Sequence, residues 1–162
     1  MKILIAYASK TGTTERCAGI LGQRLKNTTI VNLFGQDANV EEYDLIIIGS
    51  SIRIGMLNSK VKKFMEKNKD ALKTKKVAYY ICCGFSDEYK EYFESNISKE
   101  LLDAAIIFDT FGGELDITKQ KGFDKFVVNV ISKTEKGKKE VKVLNENIDR
   151  FIDKIKKVAC QD

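Results

Sequence analysis

Leu45, Ile46, Ile47 and Ile48 make an unbroken apolar run that stops at Gly49. A strand with one wet face alternates apolar and polar residues, so a continuous run marks a central parallel strand covered by helices on both sides. Other segments fit the same plan. Lys2 to Tyr7, Thr29 to Leu33, Lys76 to Cys83 and Ala105 to Phe111 read as strands. Between them lie helical stretches. Thr13 to Lys26 has Cys17, Ile20, Leu21 and Leu25 on one face, and a helix capped by Ser59 turns Val61, Phe64 and Met65 inward. Glu88 to Phe93 and Ser98 to Ala104 follow, and Asn145 to Ala159 places Ile148, Phe151, Ile152, Ile155 and Ala159 on one side. Strands and helices in alternation predict an α/β fold with a doubly wound, five-stranded parallel sheet in the order 2-1-3-4-5. Its ligand crevice lies at the carboxyl ends of strands 1 and 3, extended by the loop after strand 4.

The first of those loops is Ser9, Lys10, Thr11, Gly12, Thr13, Thr14, set between a strand and a helix. Hydroxyls and free backbone N–H groups converge in such a turn, and the helix N-terminus adds partial positive charge, so a phosphate ester suits it. Gly12 allows close approach and positive φ. The plainer alternative is that Thr13 or Thr14 simply N-caps the helix. The loop is neither a P-loop nor a three-glycine dinucleotide fingerprint. Ser-x-Thr-Gly-x-Thr after the first strand resembles the FMN-phosphate loop of the flavodoxins, and the resemblance to that superfamily covers essentially the full chain. It implies FMN as cofactor, with the phosphate against Ser9, Lys10, Thr11, Gly12, Thr13 and Thr14.

The same resemblance places the isoalloxazine ring between the loops after strands 3 and 4. These contribute Ser50, Ser51, Ile52, Arg53, Ile54 and Gly55 on one side and Cys83, Gly84, Phe85 and Asp87 on the other. Flavodoxins commonly offer aromatic and acidic residues there. This chain offers aliphatic residues and an arginine, and Phe85 is the nearby aromatic. Gly55 is either a peptide whose carbonyl turns to flavin N5 or an ordinary turn glycine. Arg53 is either a group that stabilises negative charge on the reduced ring, or holds an acidic substrate, or a solvated rim cation. Cys82 and Cys83 are either a flavin-adjacent redox pair or small core hydrophobes, with Cys82 packed inward and Cys83 turning into the loop.

With 162 residues, 43% of them hydrophobic and 31% charged, the chain has the makings of one globular domain with its own core. The first residues show no signal-peptide pattern, and no apolar run reaches the ~18 residues of a membrane span, so a cytoplasmic protein is expected. There is no histidine, which excludes His relays, Cys-His dyads and His metal sites. The four cysteines lack a Cys-x-x-Cys spacing, and no metal site is expected. Electron chemistry must then come from an organic cofactor. The net charge of +5 is mildly basic, but no nucleic-acid motif accompanies it.

Glu114 to Leu144 exceeds what a minimal fold of this kind needs. Phe123, Phe126, Val127, Val130 and Ile131 fall on one helical face, flanked by Lys119, Lys121, Lys125, Lys133, Lys136, Lys138, Lys139 and Lys142. A basic amphipathic helix of this kind can lie peripherally on a membrane, meet a partner, or cover the domain. This insertion and the passage Ile48 to Gly55 (Ile-Gly-Ser-Ser-Ile-Arg-Ile-Gly) together resemble the flavodoxin-type, quinone-dependent protoporphyrinogen oxidases. That implies an oxidoreductase exchanging electrons between its flavin and a quinone or porphyrinogen. The alternatives are a one-electron carrier that docks with a redox partner protein, and a flavin-free domain that keeps the fold. Basic charge favours the enzyme, because carriers of this family are usually acidic.

Overall fold

A computed structural model describes residues 1–113 and 142–160. The elements in chain order are β1 (Ile3–Ala8), α1 (Thr13–Arg24), β2 (Thr28–Asn32), β3 (Leu45–Arg53), β4 (Met56–Leu57), α2 (Ser59–Lys67), α3 (Lys69–Thr74) and β5 (Lys76–Cys82). After these come α4 (Tyr89–Asn96), α5 (Lys99–Asp103), β6 (Ile107–Thr110) and α6 (Asn145–Ala159). Five strands pair in parallel in the order β2-β1-β3-β5-β6, and β4 folds back antiparallel on the end of β3. This is the expected doubly wound sheet, β5 and β6 being its fourth and fifth parallel strands.

Strand periodicity sorts the core into two faces. Leu4, Ala6, Ile46, Ile48, Val77 and Tyr79 pack with Val61, Phe64, Leu72 and Phe93 on one side. Ile3, Ile5, Leu45, Ile47, Ala78 and Tyr80 pack with Cys17, Leu21, Phe151 and Ile155 on the other. Every residue of β1 is buried, as the unbroken run requires. The α6 helix is fixed to β6 by an ion pair. Buried Asp109 accepts from Arg150 Nη2 at 2.5 Å and Nε at 3.2 Å, and from Asn147 at 3.3 Å.

Several boundaries differ from the sequence expectation. β3 does not stop at Gly49 but runs on to Arg53. Gly49 is opposite Tyr80, and a Cβ there would lie 2.1 Å from the Tyr80 ring, so the glycine makes room for an aromatic neighbour instead of ending the strand. What reads as a loop over Ser50 to Asn58 is therefore largely a β-hairpin. The following helix is capped by Asn58, whose side chain accepts from the Lys60 N–H at 3.0 Å, and not by Ser59. It also breaks at Asn68, giving α2 and α3 in place of one helix. Cys83 does not turn out into a loop. It is buried, its thiol between the Thr110 hydroxyl (3.4 Å) and the Phe85 carbonyl (3.7 Å).

The amphipathic segment with Phe123, Phe126, Val127, Val130 and Ile131, and the lysines from Lys119 to Lys139, lie outside the described residues. The chain leaves the described fold at Gly113 and re-enters at Lys142. Gly113 N–H donates to the Lys142 carbonyl at 3.2 Å, and Gly112 and Val143 form an antiparallel bridge. Exit and re-entry thus lie side by side beyond the carboxyl end of β6, the end of the sheet where the loops of interest fall. Among the described residues no helix is long and apolar enough to cross a membrane.

Candidate functional site

The first loop begins where β1 delivers the chain to the carboxyl edge of the sheet. Gly12 takes φ +94°, which an L side chain rarely adopts, and the Ser9 hydroxyl accepts its N–H at 3.0 Å to close the turn. Gly12, not Thr13 or Thr14, is the N-cap of α1, and no side chain caps the helix. The i to i−4 ladder starts from Arg16 N–H to Gly12 O at 2.9 Å, so the N–H groups just before it are the helix's orphan donors. On the open side of Gly12 nothing stands within 4 Å of where a Cβ would be. Ser9 and Thr11 are half-buried around this recess, and Lys10 is exposed.

Thr14 is the most telling residue. It is only 1% exposed, and its hydroxyl has no hydrogen-bond partner. The hydroxyl influences the neighbouring Cys82 thiol without making a hydrogen bond of regular geometry to it. A buried unsatisfied hydroxyl costs about 1–3 kcal/mol, which a fold tolerates where a ligand can supply the partner. The Thr14 carbonyl is held from behind by the buried Tyr80 hydroxyl at 3.0 Å, and Tyr80 stacks on Phe111 with centroids 4.6 Å apart. At the loop's other edge Tyr7 donates to the Glu15 carboxylate at 2.9 Å. Burial first, and then Glu15, push the Tyr7 phenol up to about 12.

The second wall is the β3–β4 hairpin. Ser50, in register with Ala8 of β1, is buried and uses its hydroxyl internally, accepting from Asn58 N–H at 3.0 Å and donating to the Ser51 carbonyl at 3.0 Å. The Ser51 hydroxyl, like that of Thr14, is buried without a hydrogen-bond partner. Ile52 pairs with Leu57 and Arg53 with Met56, leaving Ile54 and Gly55 as a two-residue turn. Both take positive φ, 50° and 70°, the combination of a type I′ hairpin. Such turns favour Asn-Gly, and a β-branched residue in the first position is strained. Ile54 is nevertheless there, 71% exposed, with Met56 at 53% beside it. Arg53 is half-buried at the last position of β3.

The third segment follows β5. Cys83 faces inward, Gly84 and Phe85 are half-buried, and Asp87 is exposed on a short 3₁₀ turn that leads into α4. Burial chiefly raises the Cys83 thiol to about 11; the Cys82 thiol is raised first by the Cys17 thiol 3.9 Å away and then by burial. Protonated, enclosed thiols behave as packing groups. The structure thus brings the three predicted loops to one edge of the sheet while turning the side chains of Ser50 and Cys83 inward. Sequence reasoning missed Tyr80, whose role depends on the glycine across the sheet, and Asn96, which reaches the hairpin from a helix forty-one positions away.

The residues present suit FMN: orphan helix N–H groups, an open recess beside Gly12, and two buried hydroxyls lacking partners on the walls. The family model for the flavodoxin domain matches residues 4–142. Protoporphyrinogen IX dehydrogenase [quinone] of Escherichia coli (strain K12) is 25% identical over 153 residues, covering 88% of this chain and 84% of that protein. Two-electron reduced Megasphaera elsdenii flavodoxin superposes with a TM-score of 0.53 at 22% identity, over 82% of this chain and 99% of that one. A flavo di-iron protein mutant from Thermotoga maritima gives a TM-score of 0.56 at 17% identity, over 96% of this chain and 35% of that one. With a family match running from the first strand to the edge of the last helix, the chain belongs to the flavodoxin domain family.

Proposed function

We propose that this protein binds FMN non-covalently and is an oxidoreductase that exchanges electrons between the flavin and a quinone- or porphyrinogen-like substrate. The observation that carries the cofactor is the buried, unpartnered Thr14 hydroxyl at the mouth of an uncapped helix N-terminus. A phosphate monoester supplies acceptor oxygens to Thr14, to the N–H groups of the first helical turn and to Thr11, and its charge is favoured by the α1 dipole. FMN, when bound, supplies the electron transfer that a chain without histidine or a metal cluster motif leaves to a cofactor.

The chain's own residues bind, orient and enclose. The hairpin from Ser51 to Gly55 and the segment from Gly84 to Asp87 flank the crevice, with Ile54 and Phe85 as its apolar contacts and Arg53 as its cation. A guanidinium at the rim favours added negative charge in the crevice and can hold a carboxylate in bidentate fashion. The substrate class rests on the similarity to the Escherichia coli dehydrogenase and on the Ile48 to Gly55 passage.

The experiment is an anaerobic assay in which the FMN-loaded protein oxidises protoporphyrinogen IX with an added quinone as acceptor. Expected are quinone-dependent turnover and, for Arg53→Ala, weaker substrate binding or a lower flavin midpoint potential. A loaded protein that turns over no porphyrinogen with any quinone overturns the substrate assignment. Unchanged potential and kinetics in Arg53→Ala overturn the role given to that residue.

A further inference from the structure

The side chain of Asn96, at the end of α4, reaches the tip of the β3–β4 hairpin. Its Nδ2 donates to the Gly55 carbonyl at 2.7 Å, and its Oδ1 accepts the Leu57 N–H at 3.0 Å. The second amide hydrogen is directed to the Tyr92 carbonyl at 2.8 Å, within its own helix. A carboxamide is the side-chain group that donates to one backbone partner and accepts from the next, as the peptide of a neighbouring strand does. The partners also fix the orientation of the amide, because Leu57 offers a donor and Gly55 an acceptor.

The need for such a tie is visible in the turn itself. Ile54 sits at φ +50°, a conformation costly for a β-branched residue, and its side chain is mostly in solvent, with little packing to hold it there. β4 comprises just Met56 and Leu57, so its pairing with β3 is too short to impose the turn unaided. The same helix begins directly after the Gly84 to Asp87 segment, so a bond from its far end to the hairpin joins the two walls of the crevice.

From this we infer that Asn96 is a positioning residue that latches the hairpin tip to α4, holding Ile54 and Gly55 in their left-handed turn and setting the separation of the two ring-side walls. Its effect on flavin binding rests on the FMN reading above. Its effect on the hairpin does not.

The test therefore has two arms. In the ligand-free protein, amide hydrogen exchange is followed by NMR in wild type, Asn96→Ala and the double variant Ile54→Asn/Asn96→Ala. The latch predicts that the Leu57 amide exchanges at least about tenfold faster in Asn96→Ala, while Ile47 in the central strand is unchanged. In the double variant, with the turn sequence that a type I′ hairpin prefers, the Leu57 amide still lacks its acceptor and should stay as fast as in Asn96→Ala; recovery of its protection would mean that Asn96 is not the acceptor and overturn the latch. In the second arm FMN is titrated into the same proteins and the flavin midpoint potential is measured. Asn96→Ala should weaken FMN at least about tenfold and shift the potential, and the double variant should reverse both in part. Unchanged Leu57 exchange in a folded Asn96→Ala protein overturns the latch. Faster exchange with unchanged FMN affinity and potential overturns its link to the crevice. Wild type that binds no FMN defeats the cofactor reading and leaves the exchange arm to decide the latch. If Asn96→Ala does not fold, Asn96→Asp decides: it keeps the acceptor for Leu57 and loses the donor for Gly55, so an FMN affinity and potential equal to wild type overturn the inference.

Discussion

At Thr14 a local cost and a binding role coincide. The hydroxyl is buried at the mouth of α1 without a partner, so removing it should relieve the ligand-free protein and harm the complex. Thr14→Val is expected to leave apo-protein stability unchanged or raised by up to about 1 kcal/mol, and to weaken FMN by about tenfold or more. Urea unfolding and fluorescence titration measure the two effects. Loss of stability together with full FMN affinity would make the residue merely structural. The loop around it was legible because its signals are local: a strand, a hydroxyl-rich turn with one glycine, and a helix occupy adjacent positions. Which residue caps the helix was not legible, since Thr13 and Thr14 qualify by type and only the backbone shows that Gly12 holds the capping position. Asn96 carried no signal at all. Its partners lie on the hairpin, far away in sequence, and an asparagine near a helix end reads as ordinary.

Among the strands, β3 departs furthest from the expected extent, and the reason is a single neighbour. Gly49 reads as a strand terminator, yet the missing side chain lets the Tyr80 ring cross the sheet face and reach the Thr14 carbonyl. Gly49→Ala is therefore expected to displace Tyr80 and destabilise the protein by about 1–3 kcal/mol, visible as a lower urea midpoint. FMN affinity should fall with it, because the first turn of α1 loses its support from behind. An alanine tolerated with wild-type stability and affinity would remove Tyr80 from that role. Helices were read more accurately than loops: α6 has the expected limits, since its apolar stripe is long and regular. The hairpin was hidden because Ile54 is a poor residue for its turn, a conflict between local preference and structure of the kind that collects around functional sites.

For the whole molecule, the two-faced core explains both the stability of the scaffold and its response to alkali. Cys83 is raised from 9.0 to about 11 and Tyr7 from 10.0 to about 12, mainly by burial, and burial also raises Tyr79 and Tyr80. The folded state thus keeps protons that the unfolded chain gives up. The stabilisation from Cys83 is complete below pH 9 and is lost as pH rises to about 11, and that from Tyr7 is lost between pH 10 and about 12. Urea midpoints should fall with pH from 9 upward, and Cys83→Ala should flatten the first part of that decline. A midpoint constant through this range would contradict the burial of these groups. The fold class was legible as a whole because alternating strands and helices admit few topologies, whereas a substrate or partner is selected by side chains that the pattern of elements does not specify. The claim on which everything else depends is that the loop from Ser9 to Thr14 holds the phosphate of FMN, and the most direct measurement is equilibrium titration of the apo-protein with FMN and, separately, with riboflavin. FMN should bind stoichiometrically, with riboflavin weaker by about a hundredfold because it lacks the charged group that the loop receives. Equal affinity for the two flavins, or binding of neither, would contradict it.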